Sequence, residues 1–471
     1  MARRRSKLRD RRLAALAAGV VATALGLVGA GRPTIWYDEA VTLSLLHRPF
    51  GDTWTVLREV DAVHGLYYVV LRVWCWFTGD SIEAIRAFSA LGVGVTAGAA
   101  VLLVARHQPL RVAVAAGLFA GVAPGLAWTA VDGRSYAWSA AFAVLATMAL
   151  DAACRRRSRR YWALYAAVCL VACWWHLYLT LLVLAHGIAI LLGLPRARKP
   201  WLAAAAAAGA GLVPLAVIAW EQRSQVSWLL DIRFNGYRMV LNVLTSGQET
   251  DPGSIRVVLA IGMLALGAYG IHHLWREGRR WLPTVVALWA GLPTLAAIGC
   301  AFADAGMHPR YVTFAVPAFA IAAAVGGAAL PKWTPAVAAL AALILVTPAL
   351  VAQRAPDAKP GDLRQMAATA EEVDPDAVYF TEAKARSIEL AYPERFEGLP
   401  DLSAPDDPDP DPFFPGVRDP GTIEGAEVAG LRILGYGTRA EPVVTRLREL
   451  GCRTEPITHD RFFWVRLYTC P

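Results

Sequence analysis

Long apolar blocks recur along the whole 471-residue chain, at 13–31, 84–105, 112–131, 135–152, 161–194, 201–220, 255–274, 281–302, 311–330 and 334–352. A helix needs about 20 apolar residues to cross about 30 Å of hydrocarbon, so each block is long enough to span a bilayer. A water-soluble chain shows narrower amphipathic stripes instead. With 56% hydrophobic residues and a mean hydropathy of +0.40, composition agrees with this pattern, and the chain reads as a polytopic membrane protein.

The formal net charge of +8 could be taken for a nucleic-acid footprint, but its distribution excludes that reading. From Arg354 onward the chain holds 14 basic and 22 acidic residues, against 32 basic and 16 acidic before it. The basic excess sits in short segments between apolar blocks, at 3–12, Arg106 and Arg111, 155–160, 196–199, 276–280 and Lys332. Such clusters mark cytoplasmic loops. Block 161–194 is too long for one crossing and is basic on both flanks, so it is expected to form two short spans, about 161–174 and 177–194, turning at Trp174–Trp175–His176. About eleven transmembrane helices result.

The expected organisation is a basic cytoplasmic N-terminus (1–12), an all-α membrane domain (13–352) and a small extracytoplasmic α/β domain (353–471). The first span is read as uncleaved, with its basic end in the cytoplasm. The first outer loop covers 32–83 and has helical spacing in "YDEAVTLSLL" and "TWTVLREV"; "GLYYVVLRVWCWF" is expected to lie along the membrane surface. In the tail, "DAVYFTEA", "LRILGYG" and "FFWVRLY" read as strands, "DLRQMAATAEEV" and "EPVVTRLRELG" as helices, and "APDDPDPDPFFPG" as a loop. None of the seven cysteines forms a Cys-x-x-Cys pair, which argues against zinc. Cys452 and Cys470 lie on the oxidising side and are expected to form a disulfide.

Ionisable residues are nearly missing from the predicted midplanes, with Asp151, His272 and His273 near cytoplasmic ends. They gather on the outer face: Asp38, Glu39, Glu59, Asp61, His64, Glu83, Arg86, Asp132, Arg134, His176, Glu221, Asp231, Arg233, Asp304, His308 and Arg310. A coupled transporter keeps carboxylates near the midplane. An enzyme working on membrane-delivered substrates at one surface gives the distribution found here. Asp38 and Glu39, in "IWYDEAV" directly after the first span, are the candidate catalytic pair.

Several motifs carry a family resemblance: "WYDEA", "EVDAVHGLYY", "DGRSYAW", "WWHLYLTLLVLAH" and "HPRYVTFAVPAFA". With them the chain resembles the polytopic GT-C glycosyltransferases, specifically bacterial members related to the protein O-mannosyltransferases (glycosyltransferase family 39-like). The resemblance implies a GT-C membrane fold and a polyprenyl-phosphate sugar donor, by analogy mannose. The acceptor would be a hydroxyl on a glycan, lipid or protein, and transfer would invert the anomeric centre. Asp38 would be the general base and Glu39 its support. Arg86, Arg134 and Arg310 would meet the donor phosphate. Asp61, His64, Tyr136, His176 and Tyr311 would line the donor or acceptor site, with His64 and His176 candidates to orient phosphate or hold a divalent metal. The expected location is the plasma membrane, with membrane lipid as a further partner. A lipid-linked sugar transporter or flippase is the alternative, and a scaffold whose spans only anchor the tail is a third reading.

Overall fold

The computed structural model describes residues 2–231, 236–246, 253–303, 307–331, 333–405, 413–414, 416–438, 441–460 and 463–471. Arg233, Asp304, Lys332 and most of the expected Pro/Asp loop, residues 406–412, lie outside the described residues. In chain order the helices are α1 (Ala2–Leu27), α2 (Tyr37–His47), α3 (Phe50–Glu59), α4 (Gly65–Thr78), α5 (Ile82–Val104), α6 (Leu110–Val122), α7 (Pro124–Ala127), α8 (Tyr136–Arg156), α9 (Arg159–Trp175) and α10 (Thr180–Gly193). They continue with α11 (Arg198–Glu221), α12 (Gly236–Thr245), α13 (Ser254–Arg276), α14 (Trp281–Phe302), α15 (Val316–Ala329), α16 (Thr334–Ala352), α17 (Leu363–Val373), α18 (Ser387–Ala391), α19 (Gly425–Val428) and α20 (Glu441–Glu449). Four strands, β1 (Ala377–Phe380), β2 (Arg432–Gly437), β3 (Arg453–His459) and β4 (Trp464–Thr469), complete the described elements. The chain divides into two compact units: residues 1–31 with 61–354, and residues 32–60 with 355–471.

The first unit is helical. Among the described residues, seven helices are long and apolar enough to cross a bilayer, and an eighth is counted if the α6–α7 pair is one span. Eleven crossings were expected, and the difference has identifiable causes. The apolar part of α1 is fused to its arginine-rich start in one 26-residue helix. Block 161–194 does break at His176, but into helices of 17 and 14 residues, α9 and α10, at or below the length of a full crossing. The block at 112–131 bends by 51° at Pro124. Proline cannot donate the helical N–H and pushes the preceding residue out of the helical region, as Ala123 shows with ψ 122°.

Helices α1 and α5 cross closely because both present glycine. A Cβ at Gly94 would lie 2.7 Å from the Gly19 carbonyl oxygen, and one at Gly98 would lie 2.9 Å from that of Ala15. Small residues let spanning helices approach backbone to backbone. One ionisable residue inside a short apolar helix escapes the sequence reading: His186 of α10 is fully buried. Its Nε2 pairs with the Thr147 hydroxyl of α8 at 3.1 Å and its Nδ1 with the Tyr165 hydroxyl of α9 at 3.1 Å. Both ring nitrogens are therefore engaged in a tie between three helices.

The second unit is α/β. Its sheet order is β1-β2-β4-β3, with β1 and β2 parallel and the other pairs antiparallel. The expected strands at β1, β2 and β4 form, as do α17 and α20. Asp362 caps α17 by accepting from the Gln365 N–H at 3.1 Å, and Leu363, Met366, Ala367 and Ala370 bury one helical face. Strand β3 was not expected from sequence. It contains Pro456, lies at the sheet edge and shifts register between Pro456 and Thr458, which is where a strand tolerates proline. The Cys452–Cys470 disulfide is present.

The start of the first outer loop is built into this second unit. The Thr34 N–H donates to the Pro356 carbonyl at 2.9 Å, and the Arg364 N–H to the Thr34 hydroxyl at 3.1 Å. The Ile35 N–H donates to the Tyr392 hydroxyl at 3.0 Å. Lys384 lies over the Tyr37 ring at 4.9 Å and Lys359 over Trp36 at 5.5 Å. From α2, the Ser44 hydroxyl donates to the Phe413 carbonyl, joined by the Arg48 guanidinium at 2.6 Å. Residues 32–60 thus separate from the remainder of the expected 32–83 loop.

Candidate active site

The candidate residues fall into two groups, one in each unit. In the second unit, Asp38 and Glu39 occupy the first turn of α2, where the positive end of the helix dipole favours carboxylates. The helix is the one expected from the spacing of this stretch, and in it Asp38 is half-buried and Glu39 fully buried. Their segment is fixed by the Thr34, Ile35, Trp36 and Tyr37 contacts with the tail described above, so the tail holds the backbone that presents Asp38.

In the first unit the remaining candidates converge. Asp61 precedes a 3₁₀ turn, Ala62–His64. Its backbone is left-handed, at φ 59° and ψ 22°, a conformation uncommon outside glycine. Side-chain oxygens of Gln225 and Gln222 hold it there, accepting from the Asp61 N–H at 2.8 Å and the Ala62 N–H at 3.0 Å. This backbone turns both carboxylate oxygens toward partners. Oδ1 pairs with His64 Nδ1 at 2.7 Å, and Oδ2 accepts from the Tyr68 hydroxyl at 2.5 Å. Arg134 donates to the same Tyr68 oxygen at 2.6 Å and lies 3.5 Å from Asp61 Oδ2.

The cluster continues through aromatic rings. His64 and His176 stand 6.4 Å apart, and His176 meets the Tyr136 ring edge-on at 5.8 Å. His176 Nε2–H donates to the Tyr311 carbonyl at 2.9 Å. Tyr311 stacks on Tyr178 at 5.3 Å and carries the Arg310 guanidinium 5.6 Å from its ring centre. His308 Nδ1 accepts from the Arg310 N–H at 3.3 Å, capping the turn that begins the span at 309. Asp61, His64, Arg134, Tyr136, His176, Arg310 and Tyr311 therefore form one connected, buried cluster at one end of the spanning helices. Trp175 braces it, donating to the Ser135 carbonyl at 2.9 Å and packing edge-on against Tyr67. Arg86 is fully buried and donates to the Ala30 carbonyl at 2.8 Å, tying α5 to the stretch that follows α1.

Electrostatics sorts the roles. Burial alone would raise the Asp61 carboxyl, but the charges of His64 and Arg134 and the Tyr68 hydroxyl outweigh it and hold the group well below the usual carboxylate range. Asp61 is thus a charged anchor at neutral pH and a weak base. Burial, with Asp61 adding to it, pushes the Tyr68 phenol well above its ordinary value. Burial lowers His176 to about 4 and His308 well below its ordinary value, so both rings are neutral at pH 7. Asp132 is fully buried beside this cluster, its carbonyl accepting from the Ser89 hydroxyl at 2.7 Å. Among the described residues no group of three or more His, Cys, Asp or Glu forms a metal cradle. Sequence reasoning missed Tyr68, Gln222 and Gln225. Tyr68 follows His64 by one helical turn, a spacing that was legible but hidden in a stretch read as an apolar surface helix.

By sequence, no family model and no curated protein matches the chain. By structure, it is similar to ArnT from Cupriavidus metallidurans bound to undecaprenyl phosphate, at 14% identity, TM-score 0.60, covering 95% of this chain and 96% of that one. It is also similar to the archaeal oligosaccharyltransferase AglB from Archaeoglobus fulgidus in complex with an inhibitory peptide and a dolichol-phosphate, at 11% identity and TM-score 0.50, covering 80% of this chain and 63% of that one. The Archaeoglobus oligosaccharyltransferase tethered to an acceptor peptide containing the NVT sequon gives 12% identity and TM-score 0.50, covering 94% and 69%. With its spanning helices and small α/β tail, the chain has the polytopic GT-C fold.

Proposed function

We propose that the chain is a membrane glycosyltransferase that moves a hexose, by resemblance mannose, from a polyprenyl-phosphate donor to a hydroxyl acceptor on the extracytoplasmic side. One observation carries the reading. Arg134 and Arg310 converge with Asp61, His64 and His176 at one end of the spanning helices, in a fold shared with ArnT, whose structure holds undecaprenyl phosphate. Guanidinium groups match a phosphate's oxygens in geometry and charge. In this reading Arg310 and Arg134 receive the donor phosphate. Asp61 fixes Arg134, the neutral His176 orients the headgroup, and His64 lines it beside Asp61. Arg86 is the third candidate for the phosphate and also holds the stretch after α1 through the Ala30 carbonyl.

Asp38 is the proposed base. As the acceptor oxygen bonds to the anomeric carbon from the face opposite the leaving group, its proton passes to Asp38. The bond from that carbon to the phosphate oxygen breaks, and its electron pair leaves with the polyprenyl phosphate, inverting the centre. The depressed Asp61 carboxyl supports this choice over Asp61, because a strongly ion-paired carboxylate accepts a proton poorly. Glu39, fully buried next to it in the first turn of α2, is its proposed support.

The test is transfer of label from radiolabelled polyprenyl-phosphate mannose into membrane extract by the purified full-length protein. Asp38→Asn is expected to lower turnover by about 10²–10⁴ with donor binding retained. Near wild-type turnover in correctly inserted Asp38→Asn protein moves the base elsewhere. Movement of intact donor across a vesicle bilayer, with no label on acceptor, favours the flippase reading instead. The doubly bonded His186 speaks against that alternative, since its contacts close on Thr147 and Tyr165 rather than marking a path.

A further inference from the structure

At the end of the helices remote from the candidate site, a cavity of about 1020 Å³ opens between the α8–α9 and α10–α11 connections. Tyr136 and Trp175, at the site, are the first residue of α8 and the last of α9, whereas Ala153 and Arg159 at the opposite ends of these helices line the cavity. At 1.5 Å per residue the two regions lie about 25 Å apart along α8. The cavity wall is apolar, formed by Trp162 and small side chains such as Ala163 and Ala203. Three guanidinium groups, Arg157, Arg159 and Arg196, also line it, and among the described residues no acidic side chain does. Arg159 opens the 17-residue α9, and Arg196 lies just before the 24-residue α11, so the positive ends of two long helices face the same region.

A soluble anion has no use for the apolar wall, and a zwitterionic lipid has no use for three unopposed cations. The geometry points to a site for an anionic phospholipid, with its phosphate on Arg157, Arg159 and Arg196 and its acyl chains along Trp162 and the alanines. The volume is that of a pocket able to enclose a sizeable ligand, and basic pockets between spanning helices on the cytoplasmic side are a recognised home of anionic headgroups. The site is separate from the donor cluster and stands whether or not the transfer reaction proposed above is right.

Native mass spectrometry of the full-length protein in detergent, titrated with phosphatidylglycerol, phosphatidylcholine or inorganic phosphate, tests this. Phosphatidylglycerol is expected to bind more tightly than phosphatidylcholine. Replacing the three arginines together (Arg157→Gln, Arg159→Gln and Arg196→Gln) is expected to weaken it on the order of 100-fold. That variant also removes topology signals, so Ala203→Phe, which fills the wall and keeps every charge, serves as the second probe and is expected to weaken binding on the order of 10-fold. Equal affinity for phosphatidylcholine, or unchanged phosphatidylglycerol binding in Ala203→Phe protein, overturns the proposal. So does inorganic phosphate binding as tightly as the lipid.

Discussion

At the residue scale, the cluster around Asp61 shows how position in the fold sets chemistry. Asp61 and His176 are both buried, yet burial leads to opposite outcomes: Asp61 stays charged because charged partners surround it, whereas His176 is kept neutral. The His176 consequence is measurable. Its pKa falls from 6.5 to about 4 on folding, so the folded state takes up its proton at lower pH than the unfolded chain. The stability tied to the neutral ring is complete above pH 6.5 and is lost progressively as pH falls toward 4, by at most about 3 kcal/mol. Thermal unfolding of the detergent-solubilised protein between pH 7 and pH 4.5 is expected to show this loss. His176→Gln, whose Nε2 keeps a donor for the Tyr311 carbonyl and cannot titrate, is expected to flatten it.

At the element scale, two features decide how the spanning helices pack: glycine at the α1–α5 crossing and proline at the α6–α7 bend. The crossing gives a contrast that needs no knowledge of function. Gly94→Val places a side chain against the Gly19 carbonyl and is expected to destabilise the protein by roughly 1–3 kcal/mol. Gly209→Val in α11, where a Cβ meets nothing within 4 Å, is expected to be close to neutral. Melting temperatures of the two variants in one detergent decide it. Strand β3 teaches a related lesson. Its proline and charged residues disguise a strand, which forms because an edge position leaves one side of its backbone unpaired.

At the scale of the whole molecule, the unexpected feature is the partition of the first outer loop. Residues 32–60 join the tail, while Asp61 and the helix after it join the spanning unit. The pair Asp38–Glu39 therefore sits on a segment organised by residues more than 300 positions away in sequence, Tyr392 among them. The proposed orientation, N-terminus inside and tail outside, has a direct test in a cysteine-free background. Glu397→Cys, exposed in the tail, is expected to react with an impermeant maleimide in intact cells, whereas Arg160→Cys, exposed in the basic first turn of α9, is expected to react only after lysis. Trp175 is an unsuitable reporter for the outer face because it is buried. The reverse labelling pattern refutes the orientation.

The class of the fold and most of the cast are legible in the chain's local pattern. Apolar block length requires spanning helices, the basic flanks forecast the break at His176, and alternation in the tail forecast β1, β2 and β4. These features are local, so a single stretch of chain reports them. The identity of the polar candidates was also legible, because ionisable side chains beside apolar blocks are costly and stand out. Which of them meet depends on long-range packing. Tyr68 and Arg134 are 66 residues apart, and His176 and the Tyr311 carbonyl 135 apart. No local periodicity encodes such pairings. The left-handed Asp61 backbone, held by Gln222 and Gln225 from the 3₁₀ stretch that follows α11, is of the same kind. Local pattern fixes which face of an element is buried, and packing alone fixes what that face is buried against.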